Sequence, residues 1–146
     1  MIRTAIVARA IDAARITAEV SSDDYGATAI FLGTVRNTNA GRPVEGIEYT
    51  AYTAMAEREL DKIANEAADR FSIGSLVVEH RIGFLRLGEV SVAIAASHAH
   101  RDRAMDCSRF VIDQIKERVP IWKLEHYTDG TREWVDPTAQ LKVGAP

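Results

Sequence analysis

Ile115-Lys116-Glu117-Arg118-Val119-Pro120-Ile121-Trp122-Lys123-Leu124-Glu125 joins two kinds of periodicity. The residues before it have the apolar spacing of a helix. Pro120 lacks a backbone donor and disfavours helical geometry at Val119, so the helix must stop there. The residues after it, 121–127, alternate and are rich in strand formers. A forced helix-to-strand corner is therefore flanked by two lysines, Lys116 on the last helical turn and Lys123 near the start of the strand. Most lysines are solvated surface residues. These two differ: Lys116 borders the apolar stripe, and Lys123 lies between Trp122 and Leu124. A lysine held near apolar surface and other cations loses its proton more easily, which suits a nucleophile or an acid/base.

Outward from that corner, the helix covers residues 102–118 and carries Ala104, Ser108, Val111, Ile112, Ile115 and Val119 inward. It follows a strand at 90–96. Further back, residues 2–7 form a first strand and residues 12–20 a helix with Ile11, Ile16 and Val20 on one side. Asp23-Asp24-Tyr25-Gly26 is a turn. Residues 26–36 read as a strand with Ile30 and Leu32 on one face and Phe31 and Val35 on the other, the pattern of a buried central strand. Gly33 within it marks a bulge or a close approach. Residues 37–43 read as a loop, and 44–52 as a strand. Thr53 is the expected cap of a helix running to about Arg70, with a stripe of Ala56, Leu60, Ile63, Ala67 and Phe71. A strand at 76–81 precedes a connection bracketed by Gly83 and Gly88. After residue 127, Asp129-Gly130 is a hairpin turn into a strand at 132–135. The fold class is α/β to α+β, a mixed sheet with flanking helices. The expected organisation is one domain over 1–136 and a loose C-terminal tail over 137–146.

The chain has 146 residues, enough for one substantial core. Its 18 basic and 21 acidic residues give a net charge of −3, which offers no basic footprint for nucleic acid. No run approaches the ~18 apolar residues of a membrane span, and residues 1–10 do not read as a signal peptide. A single cysteine, Cys107, rules out an internal disulfide and fits a reducing compartment. The expected location is the cytoplasm.

Chemistry-bearing residues cluster near element ends. Arg36 ends one strand. His100-Arg101 sits where a strand gives way to a helix, so free backbone donors and the helix dipole favour an anion there. The Arg101 guanidinium suits phosphate. With Lys116 and Lys123 these residues suggest a basic pocket in an acidic protein, matched to a small anionic substrate. His98 and His100 share a face if the strand persists, but no spacing identifies a third metal ligand, so neither a metal nor any other cofactor is expected. Cys107 lies mid-helix and reads as a small hydrophobe. His100-Arg101-Asp102 spells the kinase catalytic triplet, but the glycine-rich loop and the Asp-Phe-Gly motif are missing.

These pieces occur in an order that resembles the large, catalytic subunit of molybdopterin synthase. They are Phe31-Leu32-Gly33-Thr34-Val35-Arg36-Asn37, Glu48-Tyr49 with Tyr52 and Met55, His80-Arg81-Ile82-Gly83, Gly88-Glu89, His100-Arg101 with Ala104, and Lys116 through Pro120-Ile121-Trp122-Lys123 to Glu125. The resemblance covers about residues 2 to 135, nearly the whole chain. It implies an α/β hammerhead fold. It also implies an enzyme, a sulfurtransferase of molybdenum cofactor biosynthesis. The implied reaction turns cyclic pyranopterin monophosphate (precursor Z) into molybdopterin by inserting two sulfurs as a dithiolene. The implied sulfur donor is the C-terminal Gly-Gly thiocarboxylate of a small ubiquitin-like subunit. The resemblance further implies a homodimer within a heterotetramer, with a pocket that borrows residues across the dimer. It assigns Lys116 and Lys123 to catalysis, and Arg36, His100 and Arg101 to substrate binding. His98 departs from the small residue expected there. Acid/base and covalent roles stay open between the two lysines. Two rival readings are a small phosphate-ester hydrolase using His100 as acid/base and a non-catalytic ligand-binding module.

Overall fold

Pro120 does what its chemistry dictates. Helix α3 (Arg101–Arg118) ends at Val119, whose backbone is extended (φ −83°, ψ 127°). The Val119 N–H still donates to Ile115 O, and the Ile121 N–H turns back to Val119 O at 2.8 Å. The Pro120 carbonyl accepts from Tyr52 N–H, and the Tyr52 and Trp122 rings meet edge to face at 4.9 Å, which pins the corner to the start of another helix.

The computed structural model describes residues 1–135 of the chain, so the tail expected over 137–146 lies outside the described residues. In chain order come β1 (Ile2–Val7), α1 (Ala13–Val20), β2 (Ala27–Thr34), β3 (Thr38–Asn39), β4 (Arg42–Ala51) and α2 (Thr53–Phe71). They are followed by β5 (Ser75–Arg81), β6 (Gly83–Arg86), β7 (Val90–His98), α3, β8 (Ile121–Tyr127) and β9 (Arg132–Val135). One sheet has the order β1-β5-β7-β2, with β1 and β5 parallel and the other neighbours antiparallel. A second, antiparallel sheet has the order β3-β4-β8-β9, with β6 also on β4. The architecture is the expected α+β class, with two sheets in place of one.

Strands β5 and β7 are buried on both faces, so they read as almost continuous apolar runs. Against one face pack the α2 stripe of Ala56, Leu60, Ile63 and Ala67 and the α3 residues Cys107, Val111 and Ile115. Against the other packs α1 through Ile16 and Val20. A separate cluster of Val35, Val44, Ile47, Leu85 and Tyr127 holds the second sheet together. Gly46 is obligatory there, because a Cβ would lie 2.8 Å from Leu85 O where β6 pairs with β4.

Several expectations need correction. Strand β2 is an edge strand, and its alternating exposure leaves Ile30 and Leu32 open to solvent. Apolar residues on both faces mark here one face packed on the core and one uncovered. Residues 37–43 form a hairpin, with Ala40 (φ 50°) and Gly41 (φ 79°) as its two left-handed turn residues. Alanine is uncommon in that conformation, so the sequence gives little sign of the turn. The connection between Gly83 and Gly88 contains β6. Tyr52, rather than Thr53, is the N-cap of α2, and no side chain bonds it. The register shift between Gly33 and Thr34 is the bulge that Gly33 suggests.

Candidate active site

Alternation along β8 sends Ile121, Lys123, Glu125 and Tyr127 to one side and Trp122, Leu124 and His126 to the other. On the first side Lys123 joins a cavity of about 420 Å³ between the C-terminal half of α3 and both sheets. Lys116 reaches it from the last turn of α3, and Arg36 from just past the β2 bulge. Gly33 contributes its bare backbone, and a Cβ there would lie 2.7 Å from Val92 Cγ1. Tyr49, His80 and Ser91 supply the remaining polar wall with Thr34.

The electrostatics follow from this crowding. Burial lowers the Lys123 pKa most, and the positive charges of Lys116 and Arg36 push it the same way, against the partial compensation of Glu125. The ion pairs of the described residues all lie outside this cavity. Three cations thus converge, none of them in ion-pair contact with a carboxylate among the described residues and only Lys123 partly offset by Glu125, an arrangement suited to a small anion. A half-buried lysine with weakened hold on its proton is also equipped for proton transfer or nucleophilic attack.

On its far side Lys123 also lines a narrower space of about 120 Å³, which Thr34, Arg36, Asn39 and Glu125 share. The Glu125 carboxylate is buried and accepts hydrogen bonds from Asn39 Nδ2 and Tyr127 OH, both at 2.8 Å. It is thereby fixed in place beside the lysine.

His100 and Arg101 are elsewhere. They line a shallow hollow with Gly26 and Asp102 at the N-terminal end of α3. Lys116 lies fifteen positions beyond Arg101 on the helix, roughly 22 Å along the axis. Within one chain, then, Arg36, Lys116 and Lys123 come together and the other two anion-binding candidates do not. His98 Nδ1 accepts the His100 backbone N–H at 2.9 Å, and the two imidazoles lie 5.9 Å apart. Among the described residues no three His, Cys, Asp or Glu side chains cluster as metal ligands. Cys107 is fully buried, and burial pushes its thiol up to about 12, which disarms it as a nucleophile. Tyr49, His80 and Ser91 are site residues that sequence reasoning did not assign. Tyr49 and His80 occur within the motifs carrying the resemblance, but only strand pairing puts them beside Lys123.

Fold and site together define an α+β protein with a half-buried lysine and a cationic pocket for a small anionic ligand. The model of the family described as MoaE protein matches residues 6–118. The chain is 44% identical over 124 residues to the molybdopterin synthase catalytic subunit of Pyrococcus abyssi, across 85% of this chain and 83% of that one. It is 41% identical over 115 residues to the corresponding subunit of Emericella nidulans, spanning 79% of this chain and 59% of that longer protein. The crystal structure of molybdopterin synthase from Staphylococcus aureus superposes with a TM-score of 0.84 at 35% identity, covering 89% of this chain and 94% of that one. The chain belongs to the MoaE family of molybdopterin synthase catalytic subunits. Membership favours the synthase reading over the hydrolase and the passive binding module. No helix among the described residues is long and apolar enough to cross a membrane.

Proposed function

We propose that this chain inserts sulfur into cyclic pyranopterin monophosphate, taking it from the thiocarboxylated C-terminus of a small ubiquitin-like subunit, to form the dithiolene of molybdopterin. The observation that carries the reading is the convergence of Lys123, Lys116 and Arg36 on one cavity without an ion-pair partner. The substrate phosphate supplies the missing negative charge. Lys123 is the group whose hold on its proton the surroundings weaken, so proton transfer falls to it, with Lys116 beside it as the second catalytic cation. Sulfur comes from the partner, which agrees with a buried, inert Cys107.

The narrow space beyond Lys123 suits an extended Gly-Gly tail, which has no side chains to obstruct entry. Its thiocarboxylate is drawn by the cations that hold the phosphate. His100 and Arg101 belong in this scheme to the substrate pocket of a second copy, since α3 carries them away from the lysines of their own chain. The uncovered edge of β2, with Ile30 and Leu32 exposed and a groove between β2 and α3 at Met105 and Ile112, is suited to that copy. The working unit is a homodimer with a small subunit at each lysine pocket, in the cytoplasm, and the functional domain spans residues 1–136.

The test is reconstitution. The purified chain, mixed with a thiocarboxylated ubiquitin-like partner and cyclic pyranopterin monophosphate, should yield dithiolene product. A partner lacking its last two residues should still bind through its globular surface yet give none. Full turnover with the truncated partner would refute the threading of the tail.

A further inference from the structure

His80 on β5 is only 6% exposed, and its two ring nitrogens are in different situations. Nδ1 lies 2.9 Å from the Arg81 carbonyl oxygen. A carbonyl can only accept, so Nδ1 carries the hydrogen and Nε2 is left with a lone pair. Burial, helped by the charge of Lys123 and opposed by the Arg81 carbonyl, lowers the imidazole pKa to about 4, so the ring stays neutral. The Tyr49 ring meets it edge to face at 5.3 Å and limits its rotation.

Nε2 has no hydrogen-bond partner among the described residues. It is also not one of the sealed, unpartnered side-chain atoms, which are Arg81 Nε and His126 Nε2. It therefore opens on the cavity that His80 lines. The other polar side chains of that wall are the cations Arg36, Lys116 and Lys123, which donate, the Ser91 hydroxyl, whose hydrogen goes to the Gly33 carbonyl at 3.2 Å, and the hydroxyls of Thr34 and Tyr49, which can do either. His80 is the described lining side chain whose cavity-facing atom carries no hydrogen and can only accept. A cavity lined with cations and one neutral, oriented acceptor is complementary to a ligand with an anionic group and an N–H or O–H some distance from it.

We propose that His80 Nε2 accepts a hydrogen bond from an N–H or O–H of the bound substrate and so acts as a specificity-determining residue of the lysine cavity. The inference rests on the reading of this cavity as the substrate site. A reduced pterin carrying a cyclic phosphate has both features, the anion for the cations and ring N–H donors for His80. A site built to receive a donor discriminates strongly against an analogue without it, because the buried acceptor is then left unpaired.

The test uses the protein with ¹⁵N-labelled histidine and cyclic pyranopterin monophosphate, without the sulfur-carrying partner so that nothing turns over. In the free protein the His80 signals should show Nδ1–H and a bare Nε2. On saturation the Nε2 resonance should move upfield toward the hydrogen-bonded position. In parallel, His80→Leu should weaken substrate binding about fivefold to tenfold, the loss of one neutral hydrogen bond. His80→Gln, which places an amide oxygen within reach of the same spot, should bind within about twofold of wild type. Binding by the wild-type protein with Nε2 unmoved, or a free protein with hydrogen on Nε2, would overturn the assignment of His80 alone. Absence of wild-type binding would overturn the substrate site as well. Should His80→Leu fail to fold, the wild-type spectra and the Gln variant still decide.

Discussion

Lys123 on β8 and Tyr49 on β4 sit directly opposite each other in the antiparallel ladder. The pairing ties the catalytic candidate to the phenol whose ring in turn meets His80. One register slip would carry Lys123 to the other face of its sheet, with Trp122 and Leu124, and empty the site.

Replacing Lys123 tests the role of its amine. Lys123→Ala should reduce dithiolene formation by about 10²- to 10⁴-fold, the usual value of a positioned acid/base. Lys123→Arg keeps the charge but cannot become neutral at working pH, so it should be nearly as impaired. Circular dichroism and thermal melting should show both variants folded. Wild-type turnover by a folded Lys123→Ala protein would remove the lysine from the mechanism.

The neighbouring cations should set the pH profile. Lys116 and Arg36 both disfavour the ammonium form of Lys123. Removing either charge, as in Lys116→Met or Arg36→Met, should raise the Lys123 pKa toward that of an ordinary lysine. The rising limb of rate against pH should move to higher pH in the same sense. A profile that moves to lower pH in both variants would contradict the electrostatic account.

His80 makes a separate prediction for stability. Its folded pKa of about 4 lies below the unfolded value near 6.5. The unfolded chain therefore binds a proton that the folded chain refuses between those limits. The stabilisation is fully present above pH 6.5 and is lost as pH falls toward 4. Between pH 7 and 5 this single group should cost about 2 kcal/mol. Urea denaturation at the two pH values should show a correspondingly smaller loss for His80→Gln than for wild type.

Mixing variants tests the shared pocket. Lys123→Ala and Arg101→Ala proteins should each be impaired alone. Unfolded together and refolded at equal concentration, they should regain about a quarter of wild-type activity. Half of randomly paired dimers are mixed, and each mixed dimer has one intact pocket of two. No recovery, with mixed dimers demonstrated by mass spectrometry, would place Arg101 outside the partner's site.

Cys107 should be silent. Cys107→Ala should retain sulfur transfer, and the native thiol should resist alkylation at neutral pH, because it is buried and poorly ionised. Rapid alkylation of folded protein with loss of activity would show that burial does not protect it.

The corner at Pro120 was readable because proline chemistry is local, and Lys116 and Lys123 follow from it directly. The α2 stripe was readable for the same reason. The status of β2 was not, since apolar residues on both faces describe a central strand and an uncovered edge equally well. The separation of His100 and Arg101 from the lysines is implicit in an 18-residue helix, yet ligand chemistry alone groups them together. Tyr49, His80 and Glu125 enter the site through cross-strand register and burial, quantities that no single stretch of sequence contains.

Helix α3 presents Arg101 on its first turn and Lys116 on its last, so it fixes both a distance and an angle between two pieces of chemistry. Each residue added to a helix advances it about 1.5 Å and turns it about 100°. A one-residue insertion midway, at Ser108, would leave the helix itself continuous and fully hydrogen-bonded. It would nevertheless swing Lys116 a quarter-turn or more away from Lys123, or else drag Arg101 off its own hollow. Substitutions on the exposed face of this rod leave that spacing untouched, whereas any change in its length does not.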